Sequence, residues 1–219
     1  MIRSSLAYRC AIPLVLSLLV PAILACAAPA GEGGDSLRTL YGEGQPFPEF
    51  LASAQARRPM WDSNYSRGWI DPALLARARA IPGRWHLLVV SMDSCSDSAN
   101  TIPYLASLVD SLGGQVDLRI VSPAAGRRVM EEHRTWDRRG ATPTVVLLDD
   151  SWEERGCWVE RPGPLAAWTR QQEPRLSHQE FVQQKIEWYE RDQGRETVRE
   201  IVEMMEQAGP GRACGGNAE

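Results

Sequence analysis

The stretch WHLLVVSMDSCSDS, residues 85–98, decides the fold. Its first half, Trp85 to Ser91, is a nearly unbroken apolar run of strand length. It lacks the polar alternation of a half-exposed strand, so it reads as a strand covered on both faces. Its second half turns polar, passes Cys95 and leads into Ile102, Leu105, Leu108, Val109 and Leu112, which fall on one helical face. A covered strand running directly into a helix opens an α/β unit.

Working outward, the alternation repeats. The helix is predicted over Cys95 to Leu112, kinked at Pro103 and stopped by Gly113 and Gly114. Val116 to Val121 alternates apolar and charged residues as a strand does, and Pro123 to Arg139 reads as a charged helix closed by Gly140. Thr144 to Leu148 is a third strand. The turn Asp149-Asp150-Ser151 then leads to a short fourth strand over Gly156 to Glu160, and Pro164 to Arg170 begins another helix. Crossover helices favour parallel pairing, and the short turn favours a hairpin. The expected fold is therefore α/β: a three-layer sandwich whose mixed sheet has four or five strands, with helical N- and C-terminal extensions.

The domain occupies residues 85–172. Residues 37–84 form the N-terminal extension, with a helix over Pro46 to Arg57 and another opened by Asp71-Pro72, a good N-cap followed by proline at the first helical position. Trp61, Tyr65 and Trp69 are expected to pack this extension onto the domain, the alternative being an exposed patch. Residues 173–208 carry two amphipathic stripes, one of Leu176, Phe181, Val182, Ile186 and Tyr189, the other of Val198, Ile201, Val202 and Met205. Residues 209–219 read as a disordered tail.

The first 25 residues read as a signal peptide. Arg3 and Arg9 precede an uncharged apolar run from Ala11 to Leu24, too short for a comfortable membrane span. The run ends in Ile23-Leu24-Ala25-Cys26, which resembles the lipobox of bacterial lipoproteins and makes Cys26 the expected lipidation site. Cleavage after Ala28-Pro29-Ala30 is the other reading. Residues 26–36, rich in Gly and Ala, read as a flexible tether. Both readings place the mature chain outside the cytosol, in the periplasm or anchored in the cell envelope, where thiols meet oxidising conditions.

The chain has 219 residues, 43% of them hydrophobic, and a formal charge of −4. That is enough apolar content for a core, and the mild acidity without a basic block argues against nucleic-acid partners. Of the 24 basic residues only Lys185 is a lysine. His86, His133 and His178 lack metal-ligand spacing to the cysteines, so no metal or other cofactor is expected. Gly42-Glu43-Gly44 does not join a strand to a helix and is no nucleotide loop.

The chemistry centres on Cys95, at the start of a helix that follows a covered strand. Helix starts expose unpaired N–H groups, which favour a thiolate. Ser98, one turn on, is placed to donate its hydroxyl to the sulfur, whereas Asp93 and Asp97 oppose a second negative charge. Thr142-Pro143 stands before the third strand. A cis bond there would leave the Thr142 backbone groups free for an extended peptide.

With these residues in view, residues 85–170 resemble the thioredoxin family. They are closest to a bacterial branch whose site reads Trp-Cys-Gly-Asp-Cys with a later helix proline. The corresponding run here is Ser94-Cys95-Ser96-Asp97-Ser98, with Pro103 at the helix proline and Thr142-Pro143 at the family's cis-proline. Leu147-Leu148-Asp149 and the pair Gly156 and Trp158 also look like that branch. The resemblance implies thiol-disulfide chemistry, with Cys95 and Ser98 at the reacting positions and Thr142 and Pro143 against the substrate. Because Ser98 replaces the second cysteine, the implied activity is monothiol exchange or isomerisation, with protein or small-thiol disulfides as partners. Cys157 is expected as a buried strand thiol, and a bridge from Cys95 to Cys214 is a further possibility. The competing expectation is a redox-inactive binding module in the envelope.

Overall fold

A computed structural model describes residues 32–208. The stretch read as a signal peptide, Cys26, Cys214 and residues 209–219 lie outside the described residues.

The elements follow in order as α1 (Glu32–Glu43), β1 (Gln45–Pro46), α2 (Phe47–Ser53), α3 (Arg58–Ser66), α4 (Pro72–Ala80), β2 (Trp85–Val90), α5 (Ser96–Ala99), α6 (Ile102–Leu112), β3 (Val116–Val121), α7 (Arg127–Glu132), β4 (Thr144–Leu148), β5 (Glu154–Val159), α8 (Gly163–Gln172), α9 (His178–Asp192) and α10 (Arg195–Glu206). The sheet has five strands in the order β1-β3-β2-β4-β5. Strands β2 and β3 are parallel; β1 on β3, β4 on β2 and β5 on β4 are antiparallel.

Strand β2 is buried along its whole length, as its composition demands. Leu87 and Val89 join Val145, Leu147, Leu105, Ile201 and Trp61 on one side, while Leu88 and Val90 join Val146, Leu148, Tyr41 and Val129 on the other. Each fully buried Leu or Val contributes about 1.5–3 kcal/mol, so this strand is the spine of both cores.

Three departures from the sequence reading bear on the site. First, β4 is not parallel to its predecessor. Helix α7 is only six residues long, about 9 Å of rise, against about 20 Å for a six-residue strand. Val121 and Thr144 both pair with Val90, so the chain re-enters the sheet at the end it had just left, and β4 runs back from there. Second, the long helix after Cys95 is broken into α5 and α6 at Asn100 and Thr101, and Pro103 lies in the first turn of α6, where no amide donor is needed. Third, α1 begins at Glu32, inside the stretch read as a tether.

The flanking segments belong to the fold. Gln45 and Pro46 add the edge strand on β3. Trp61 is fully buried against Phe50, and Tyr65 reaches Asp110, whereas Trp69 is exposed. Helix α4 starts as expected, with Asp71 Oδ1 accepting from the amides of Ala73 and Leu74 at 2.9 and 3.0 Å, a cap worth about 1 kcal/mol. At the other end α10 packs Val198, Ile201, Val202 and Met205 against α4, α6 and β5. The turn into α10 needs Gly194, at φ 75°, because the Tyr104 ring occupies the place of any side chain there.

Candidate functional site

The parallel pair β2 and β3 ends at one edge of the sheet, and the loop 91–95 crosses that edge. The Ser91 amide is held by the Val121 carbonyl at 3.0 Å, and the Cys95 amide closes a turn onto Met92 O at 3.2 Å. Cys95 caps α5 from a β backbone conformation, with its Sγ accepting from the Ser98 amide at 3.4 Å. It is half-buried and a free thiol. Its S–H donates to the Thr142 carbonyl at 3.2 Å. The bond between Thr142 and Pro143 is cis. Two segments 47 residues apart thus meet at the sulfur.

Ser98 reaches the sulfur through its backbone. Its side chain is fully buried, and its hydroxyl has no hydrogen-bond partner among the described residues. The sequence reading had the hydroxyl donating; the cap geometry gives that place to the amide.

Both acids beside the cysteine turn away from it. Asp93 Oδ2 accepts from the amides of Gln55 and Ala56, each at 2.8 Å. The amides of Ala56 and Gln55 hold this carboxyl below its ordinary range. The same loop receives Trp61 Nε1 on Asp93 O at 3.0 Å and Arg57 Nε on Ser94 O at 2.6 Å. The N-terminal segment therefore grips the approach to Cys95.

Asp97 turns inward. Its carboxylate accepts from Lys185 Nζ at 2.9 and 3.1 Å, from Tyr189 OH at 2.9 Å and from Arg161 Nη2 at 3.3 Å. Burial alone drives this carboxyl up, but the Lys185 and Arg161 charges outweigh burial and hold it below the usual carboxylate range. Burial of the Tyr189 phenol, followed by the Asp97 charge, pushes it far above its ordinary value. Glu160, paired with Arg161 at 3.0 Å and with Arg139 at 2.8 Å, donates its backbone N–H to the Pro143 carbonyl at 2.7 Å. Asp97, Arg161 and Glu160 thereby connect the thiol turn to the proline loop.

A sequence model of the family described as Thioredoxin matches residues 44–174, more than half of the chain. The chain belongs to the thioredoxin family. Among solved structures, a thioredoxin-fold likeness is found to a protein of unknown function from Pseudomonas aeruginosa. It is 20% identical, with a TM-score of 0.60 over 78% of this chain and 96% of that one. An HIV epitope-scaffold is 19% identical, with a TM-score of 0.60 over 78% of this chain and 98% of that one. At these identities the likeness is one of fold. No curated protein matches. The thioredoxin-family match stops short of α9, so Lys185 and Tyr189 come from beyond it.

Cys157 is disulfide-bonded, which corrects the expectation of a strand thiol. Cys95, being free, is bridged neither to it nor to Cys214. The residues that sequence reading missed are Arg161, Lys185 and Tyr189. A signal for one of them was present: the single lysine of an arginine-rich chain.

Proposed function

We propose that this thioredoxin-family chain is an exported protein that performs thiol-disulfide exchange through one thiol, Cys95. The observation that carries the reading is a free, half-buried sulfur 3.2 Å from the carbonyl that precedes Pro143. A disulfide partner enters between these two walls. The Cys95 thiolate attacks one sulfur of the partner, forming a Cys95–S–S–R bond and releasing the other sulfur as a thiolate, which takes a proton from water. Once Cys95 has lost its own proton, Thr142 no longer accepts from it, and its carbonyl is available to pair with the partner's backbone. Ser98 has no sulfur with which to resolve the mixed disulfide. A second thiol, from the partner or from a small molecule, attacks instead, regenerating the Cys95 thiolate and leaving a rearranged disulfide. No electrons are gained or lost overall, so no external oxidant or reductant is required. The leader over residues 1–25 and lipidation at Cys26 complete the proposal, placing this chemistry in the cell envelope.

The test is covalent capture in intact cells. Adducts on the wild-type chain that dissolve on reduction, and that vanish in Cys95→Ser, are expected. If the two chains show the same adducts, or none, and support the cell equally, the redox reading fails and a binding module takes its place.

A further inference from the structure

The chain uses arginine at all but one of its 24 basic positions, and the exception is buried beside the thiol turn. Helix α9 starts at a capping box, in which Ser177 and Glu180 satisfy each other's amides. From that start Phe181, Lys185 and Tyr189 share one buried face. Lysine is the charged member of an otherwise aromatic stripe. Its side chain is 9% exposed and that of Asp97 is 8% exposed. A buried ion pair of this kind rarely stabilises a fold more than apolar residues of the same volume would. Its position therefore asks for a role other than stability.

We infer that Lys185 is a positioning residue for Cys95, so that the segment beyond the family match is a working part of the site. The inference rests on the exchange reading above. Lys185 Nζ contacts Ser96 Oγ at 3.4 Å as well as both Asp97 oxygens, so one compact ammonium secures the two residues that follow Cys95. A planar guanidinium cannot place three donors around a single atom. Secured this way, Asp97 also holds Arg161, and through Glu160 the Pro143 carbonyl. Lys185 thus sets the distance between the sulfur and the wall against which a disulfide must align.

The test uses the full-length, non-reduced protein and takes the Cys95-dependent rate as the difference from Cys95→Ser. Exchange is followed with dithiobis(nitrobenzoate), and alkylation with iodoacetamide, which needs no aligned wall. Lys185→Met is expected to slow exchange on the order of tenfold and alkylation by less than about threefold. In an Asp97→Asn background the same substitution is expected to add less than about a twofold loss, because both act through one carboxylate. Should Lys185→Met not fold, Tyr189→Phe removes one donor from the same carboxylate and is expected to shift the same ratio by about threefold. Equal losses in both reactions, additive losses, or an unchanged exchange rate would overturn the inference. A wild-type chain inert toward the disulfide probe would instead overturn the exchange reading itself.

Discussion

The amide of Ser98 points at the sulfur of Cys95 across 3.4 Å, while the hydroxyl of the same residue is buried with no partner among the described residues. A serine here supplies the amide that Cys95 caps but neither a second sulfur nor a satisfied side chain.

Ser98→Ala removes an unpaired buried hydroxyl and keeps the amide. It is expected to raise stability by about 1 kcal/mol in urea unfolding. A loss of stability would show that the hydroxyl has a partner. Ser98→Cys is expected to form a bond to Cys95 on mild oxidation, seen as the loss of two hydrogens by mass. A mass that stays constant would mean the two positions cannot close.

His86 stacks on Trp152 at 4.2 Å, and Tyr41 meets it edge-on. Burial, aided by Arg84, holds its imidazole below the ordinary value of 6.5 despite the nearby Asp117. The unfolded chain therefore takes up this proton before the folded one does. The contribution of His86 is complete above about pH 6.5 and drains away as the pH falls toward the lower folded value. The urea midpoint is expected to drop between about pH 7.5 and pH 5. His86→Phe, which keeps a ring on Trp152, should flatten that slope; an identical slope in the variant would reassign it to another group.

Asp93 joins the N-terminal arm to the thiol loop through two amides. Asp93→Ala is expected to cost about 2 kcal/mol and to speed hydrogen exchange at Gln55 and Ala56. Since these amides depress the carboxyl, the stabilisation is present above its ordinary value of 3.8 and fades as the pH falls below it. Unaltered exchange at both amides would show that the arm is held elsewhere.

The parts of the fold legible in the sequence are those whose signal is local. The runs 116–121 and 144–148 coincide with β3 and β4, because apolar alternation announces the first and an unbroken apolar run the second. Cys95 at a helix start and Thr142-Pro143 before a strand were readable for the same reason. Strand β1 was not. Two residues, one a proline, have no periodicity, and they become a strand only because β3 offers a free edge. Nor was the interior of the site. Lys185 and Asp97 are 88 residues apart, and an amphipathic stripe carrying Phe181 and Tyr189 gives no sign that the lysine between them meets a buried carboxylate. Asp97 looked like an obstacle to the thiolate; its partners turn it into an anchor.

Glu200 on α10 accepts from Trp158 Nε1 on β5 and from the Gly163 amide at the start of α8, each at 2.7 Å. Helix α10 is therefore stitched into the hairpin and the turn beyond it. Anyone trimming this gene to the span recognised by homology would cut away the lid of the hydrophobic interior, and should expect an insoluble product. The shortest piece worth expressing runs through Glu206.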